Sequence, residues 1–311
     1  MASKRGDRGA PVRVVVGVDI GGTGTRFLAM TPDRSIVARS IVATPTSRST
    51  GTASEFLIAN VQQLVEPYLL QGIGIGASGP VDPDGTIQNP DTLPAFTGEP
   101  LVDGLTRAFR VPVTVENDAA CAAIAEHGVG AGRGAASLLH VTLGTGVGTA
   151  VIVGGVLVRG GDGVHPEGGH ISVPGRTPDC YCGRVSCWEQ RASRQALQRA
   201  AAVLLGMPAD DPRAMAELAA QADAGDAAAN DVFSQYGRGV ADGLATLLAL
   251  HRPARVVLGG SAGAYLPYYR RAIHDALRPL KAWISQPEIV MTELDDFGGA
   301  IGGAILASTS N

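Results

Sequence analysis

Apolar and polar positions near the start of the chain fall into short blocks. Val12 to Val18 is an apolar, β-branched run that meets the turn Gly21-Gly22-Thr23-Gly24-Thr25, and a second run, Phe27 to Met30, follows. After a Pro32-Asp33 turn comes a third, Ile36 to Ala43. The plan recurs at Ser137 to Leu143, with the turn Gly144-Thr145-Gly146-Val147-Gly148 and then Thr149 to Val153 and Val156 to Arg159. Short apolar runs joined by Gly-rich tips predict hairpins, so each copy predicts a three-stranded meander. A whole unit recurring about 125 residues later predicts two similar domains facing each other.

Between and after the meanders the period changes. Ser54 to Leu70, Leu101 to Phe109, Arg191 to Leu205, Asp211 to Ala222, Ala228 to Leu250, Leu266 to Leu280 and Gly299 to Ser308 predict helices. Gly72 to Ala77, Val111 to Val115, Arg255 to Leu258 and Glu288 to Glu293 predict strands, and Gly259-Gly260 predicts a turn. Strands followed by alternating helix and strand, twice over, predict two mixed-sheet α/β domains with a cleft between them.

The length of 311 residues suits two domains, and 45% hydrophobic residues suffice for a sizeable core. A net charge of −4 argues against a nucleic-acid partner, because a face for phosphate backbones is basic. Lysine occurs only at Lys4 and Lys281. Met1 to Arg13 is polar and lacks the apolar core of a secretion signal, so residues 1–11 are expected to be a disordered lead-in. No apolar run reaches membrane-spanning length uninterrupted, which predicts a cytoplasmic protein with no membrane partner.

Four motifs carry candidate chemistry. In Asp19-Ile20-Gly21-Gly22-Thr23 a carboxylate ends a strand beside a turn almost bare of side chains. Such a turn is either a plain hairpin tip or a cradle of N–H groups for an anion, with Asp19 placed to hold Mg²⁺. Gly144-Thr145-Gly146-Val147-Gly148 repeats the device, and two copies favour a polyphosphate grip over two plain tips. Glu116-Asn117-Asp118 ends a strand: Asp118 could take a proton from an attacking alcohol while Asn117 holds a neighbouring hydroxyl, or either could cap a helix. His170, Cys180, Cys182 and Cys187 form a Cys₃His set that suits tetrahedral zinc, with no position left for a catalytic water. The metal is therefore expected to be structural. Glu167 and Glu189 flank this set; by spacing alone they are exposed charges, although carboxylates also suit sugar hydroxyls. Cys121 is expected to be a small buried residue and His140 a satisfied core residue.

Together these segments resemble the ROK family of repressors and kinases over Val12 to Ala307. Gly76-Ala77-Ser78-Gly79-Pro80-Val81-Asp82 is similar to its sugar-side loop, and Gly259-Gly260 to its adenosine-side turn. The resemblance implies an actin-like fold of two ribonuclease-H-like domains, spanning 12–116 plus 299–311 and 117–298. It implies ATP, Mg²⁺ and structural Zn²⁺ as cofactors, and a homodimer or homotetramer. It implies Asp118 as base, with Gly79, Asn117, Asp118, Glu167, His170 and Glu189 on the sugar. Asp19, Gly21, Gly22, Thr23, Gly144, Thr145, Gly146, Gly259 and Gly260 fall to the nucleotide. Cys187-Trp188-Glu189-Gln190 is similar to the family's bacterial glucokinases, which implies glucose as acceptor. Gly24, Thr92, Ala120 and Ser186 depart from the family pattern, where Lys, Asn, Asn and Gly are usual. N-acetylhexosamines, mannose and fructose are the alternative acceptors within the family and polyphosphate the alternative donor; a winged-helix regulator of the family and a sugar binder without kinase activity are the rival readings of another class.

Overall fold

The computed structural model describes residues 11–48, 51–280, 284 and 286–309, so the expected lead-in lies outside the described residues except for Pro11. In chain order the elements begin with β1 (Arg13–Ile20), β2 (Gly24–Met30), β3 (Ile36–Ala43), α1 (Ala53–Val65), β4 (Leu69–Ala77), α2 (Leu101–Phe109), β5 (Val113–Asn117) and α3 (Asp118–Val129). They continue with β6 (Ser137–Leu143), β7 (Val147–Val153), β8 (Val156–Leu157), α4 (Glu189–Ala192), α5 (Arg194–Leu205), α6 (Ala214–Asp223) and α7 (Ala227–His251). The last are β9 (Arg255–Gly259), α8 (Gly260–Gly263), α9 (Leu266–Leu277), β10 (Glu288–Met291) and α10 (Gly298–Thr309).

The chain divides into two compact units. The first holds the chain up to Ala125, Gly161–Val164 and the segment from Asp296; the second holds Glu126–Gly160 and His165–Asp295. The division falls inside α3.

In the first unit the sheet order is β3-β2-β1-β4-β5. The meander β1-β2-β3 is antiparallel, while β4 and β5 join β1 in parallel. The second unit repeats this plan: β6, β7 and β8 form the meander, and β9 and β10 extend it in parallel. The recurrence read from the runs and Gly/Thr tips is thus a recurrence of sheet topology. Each unit has its own apolar core, around Phe27, Leu57 and Phe96 in the first and Trp188, Phe233 and Tyr269 in the second.

The first unit needs α10 to cover its sheet. Here backbone meets backbone: a Cβ on Gly17 of β1 would lie 2.7 Å from the Ala304 nitrogen, and one on Gly74 of β4 would lie 2.7 Å from the Gly303 carbonyl carbon. Glycine is required at these positions because nothing larger fits. On the other side, α1 starts with a capping box in which Thr52 accepts from the Glu55 N–H and Glu55 accepts from the Thr52 N–H.

Several expected elements shift. The long first helix stops at Val65, and Leu69-Leu70 opens β4 instead. The expected helix from Arg191 to Leu205 breaks at Ser193, whose hydroxyl accepts the Ala196 N–H and caps α5. Gly259 ends β9 and Gly260 begins the short helix α8 rather than the pair making a turn, and β8 keeps only two residues. Helix α3 was not among the expected helices. Ala119, Ala120, Cys121, Ala123 and Ala125 are all buried, so the segment has no polar face to mark its period.

Candidate functional site

The first unit gathers one cluster at the carboxyl ends of β1, β4 and β5. The ladder aligns Asp19 with Gly76 and Ala77 with Asn117, so Asp19 and the start of α3 share an edge. Asn117 takes the cap: its Oδ1 accepts N–H bonds from Ala119 at 2.8 Å and Ala120 at 3.2 Å. Its Nδ2 donates to the Gly79 carbonyl at 3.1 Å, tying the Ser78-Gly79-Pro80 loop to the helix start. Asp118 is left at the first turn of α3, where its Oδ1 accepts the Ala119 N–H at 2.8 Å. Burial raises its pKa to about 6, against the pull of that N–H and of the Ser78 hydroxyl.

Asp19 is raised further, to about 7, first by burial and then by the Asp118 charge, while Arg26 pulls it down. It sits beside the N-terminus of α10, where a Cβ on Gly299 would lie 2.7 Å from its carboxyl carbon. The turn after it is closed by Gly21 N–H donating to the Gly24 carbonyl at 3.2 Å and by the Thr44 hydroxyl donating to the Gly21 carbonyl at 2.6 Å. Thr23 is exposed at the tip. The Thr92 γ-methyl packs over Gly22, where a Cβ would come within 2.9 Å of it.

The second unit gathers the other predicted residues. Gly144 N–H donates to the Gly146 carbonyl at 3.0 Å, leaving Thr145 exposed at the tip. Behind the tip lies Glu189, which is buried; its Oε2 accepts the Val147 N–H at 3.1 Å and fills the space a Gly146 Cβ would need. The expectation of an exposed charge is corrected for Glu189, and holds for Glu167. Gly260 has φ +74°, and a Cβ there would lie 2.6 Å from the Leu143 carbonyl, so α8 begins hard against the strand that feeds the Gly144 turn. His140 is buried and held neutral, its pKa lowered to about 4 by desolvation. Its Nε2 pairs with the Thr142 hydroxyl at 3.0 Å, but its Nδ1 has no hydrogen-bond partner, so it is only half satisfied.

His170 ends a single 3₁₀ turn, Gly168–His170. Its Nδ1 lies 3.5 Å from Cys180 Sγ, and Cys182 Sγ lies 3.5 Å from Cys187 Sγ. The four donor atoms all lie within 4.8 Å of one another. Ligands about 2.0–2.3 Å from a tetrahedral ion stand about 3.3–3.8 Å apart, so the donor chemistry and the two pairs at 3.5 Å fit zinc. The bridge between Ser172 and Cys187, with Trp188 N–H donating to Ile171 at 2.9 Å, joins this segment to α4 and so to Glu189.

A family model described as the ROK family matches residues 15–310. The chain belongs to the ROK family. Among its relatives is a glucokinase of Streptomyces coelicolor, 31% identical over 322 residues, covering 94% of this chain and 97% of the relative. Similar solved structures include a ROK glucokinase from Streptomyces griseus in complex with glucose and AMPPNP, with a TM-score of 0.78, 32% identity and coverage of 95% and 99%. A ROK hexokinase from Thermus thermophilus gives a TM-score of 0.80, 31% identity and coverage of 96% and 98%. The fold of this ROK protein is the actin-like one, with two mixed α/β sheets.

Two residues of this ROK protein escaped the reading of its sequence. Arg26 lies opposite Asp19 in the β1–β2 ladder, half-buried, with its Nη2 3.7 Å from Asp296 and its Nε lacking a hydrogen-bond partner. It is the cation that faces the Asp19 carboxylate. Asn89 accepts the Thr92 N–H at 3.1 Å and donates to the Ser78 carbonyl at 3.0 Å, joining the loop over Gly22 to the loop below Asp118. Hairpin register, counted outward from the Gly21–Gly24 tip, would have found Arg26. Asn89 lies in no periodic segment and offered no such signal.

Proposed function

We propose that the protein transfers the γ-phosphoryl group of ATP to the primary hydroxyl of a hexose, glucose first among them. The observation that carries this reading is Asp118: a desolvated carboxylate at the first turn of α3, next to a second carboxylate, Asp19. With a pKa near 6, Asp118 is ionised at neutral pH yet basic enough to accept a proton. It takes the proton of the sugar hydroxyl as that oxygen attacks the γ-phosphorus, and ADP leaves with the bonding pair.

The other roles follow the same chemistry. Asn117 holds the Gly79 loop and presents Asp118. The Gly21-Gly22-Thr23 and Gly144-Thr145-Gly146 turns offer backbone N–H groups to phosphate oxygens, and Gly259-Gly260 offers a side-chain-free wall to the adenosine. Asp19 would hold Mg²⁺, directly or through water, which supplies charge neutralisation across the phosphates. His170, Cys180, Cys182 and Cys187 would hold a structural zinc that ties residues 170–187 to the fold. Glu167, His170 and Glu189 serve sugar hydroxyls, Glu189 also bracing the Gly146 turn. No described helix is long and apolar enough to cross a membrane. A cytoplasmic homodimer or homotetramer completes the reading.

ADP release, coupled to a spectroscopic readout, is the test. Glucose, mannose, fructose, N-acetylglucosamine and N-acetylmannosamine are compared with ATP and with polyphosphate. Glucose with ATP is expected to give the highest kcat/KM. Absence of turnover with every sugar would overturn the proposal.

A further inference from the structure

We propose that the Tyr181 hydroxyl is a displaceable cap on His170 Nε2, and that it thereby sets the affinity and selectivity of the acceptor site. The inference rests on the proposed role of His170 toward sugar hydroxyls.

Tyr181 sits between two zinc-set cysteines and is 74% exposed, so its ring is not held there by burial. Its position is nevertheless specific. The ring stands edge-on to the His170 imidazole, with centroids 5.3 Å apart and planes at 87°, and its Oη lies 3.2 Å from Nε2. This is its one hydrogen bond among the described residues.

The roles of the two imidazole nitrogens follow from their neighbours. Nδ1 faces the thiols, 3.5 Å from Cys180 Sγ. A metal taken there leaves the proton on Nε2, and a ligating histidine donates that other N–H outward. In this protein the outward acceptor is the Tyr181 oxygen. One N–H serves one good acceptor at a time, so a sugar oxygen reaching His170 must displace the phenol. The cap is held by this single hydrogen bond and the edge-on ring contact. The surrounding exposure leaves the ring room to swing away. Selectivity follows: only an acceptor with an oxygen at the Nε2 position opens the cap.

Tyr181→Phe keeps the ring and removes the oxygen. Zinc-replete wild type and variant are titrated with glucose by calorimetry without nucleotide, and both are assayed for turnover. The variant is expected to bind glucose about three- to tenfold more tightly, the factor worth one ordinary hydrogen bond. KM falls in parallel, so the change lies in KM rather than kcat. Among 1-deoxy-, 2-deoxy- and 3-deoxyglucose, one analogue loses the gain, identifying the oxygen that His170 holds. Equal or weaker glucose binding by the variant overturns the inference, as does the same gain for all three analogues. Tighter binding without any phosphorylation would leave the cap standing and remove the kinase reading. Failure of both proteins to bind glucose would remove the cap and the sugar assignment together.

Discussion

Replacing Asp118 by Asn should damage catalysis and strengthen the fold at once. The carboxyl group's pKa is carried from the ordinary 3.8 to about 6, chiefly by burial. At about 1.4 kcal/mol per pH unit, the ionised form is about 3 kcal/mol worse off folded than unfolded. Asparagine keeps an oxygen for the Ala119 N–H and carries no charge. It also removes the charge that raises Asp19. The sign is fixed by the raised pKa. The cost is absent below about pH 4, where both states are protonated, and complete above about pH 6. The variant should therefore gain about 1–3 kcal/mol at pH 8 and about half of that at pH 5. In a chain of this size that is roughly 3–8 °C in the transition of the first unit. Turnover should fall by about 10²-fold or more, with zinc content unchanged. Scanning calorimetry at the two pH values, together with the coupled assay, reads both effects. A melting temperature at pH 8 no higher than wild type would refute the burial argument, and near-normal turnover would refute the assignment of the base.

Cys187→Ser should abolish stoichiometric zinc, read by metal release to a chromogenic chelator, and should lower the melting temperature of the second unit, because Cys187 sits between the bridge to Ser172 and buried Trp188. Zinc retained at wild-type stoichiometry would count against the ligand set. Gly302→Ala should cost about 3 kcal/mol or more, since its Cβ would come within 2.8 Å of the Cys121 Cα and nearer still to the Cys121 carbonyl, where no side chain can yield; an unchanged thermal melt would contradict this. Arg26→Met should lower the Mg²⁺ concentration needed for half-maximal turnover several-fold, with Arg26→Lys restoring most of the wild-type value, because loss of the cation facing Asp19 strengthens the carboxylate's pull on a divalent ion more than on a proton. Equal Mg²⁺ dependence in all three proteins would show that the guanidinium is only structural.

The parts legible in the sequence share a cause. The two meanders could be read because β-branched runs and Gly/Thr tips mark strands and hairpins locally, and the Cys₃His set because three thiols crowd into eight residues. The illegible parts depend on partners distant in the chain. Helix α3 is alanine-rich, with buried and half-buried positions interspersed and none exposed, so it carries no amphipathic period. Glu189 looks exposed until Val147, 42 residues earlier, is seen to donate to it. The cap role of Asn117 and the proton-accepting setting of Asp118 were both open readings; the backbone resolves the first by aiming Ala119 and Ala120 N–H groups at the Asn117 side chain.

The glycine seam between α10 and strands β1 and β4 has a bearing on biosynthesis. Sheet residues 13–77 emerge from the ribosome early, but the helix that covers them lies at residues 298–309. The fit is specific to that helix, because its backbone lies directly against Gly17 and Gly74. The later-translated second unit can therefore mature while the first still waits with one face uncovered, so folding order should run opposite to translation order. Loss of the last dozen residues described would leave the carboxylate pair without its roof even though every residue of that pair had been made.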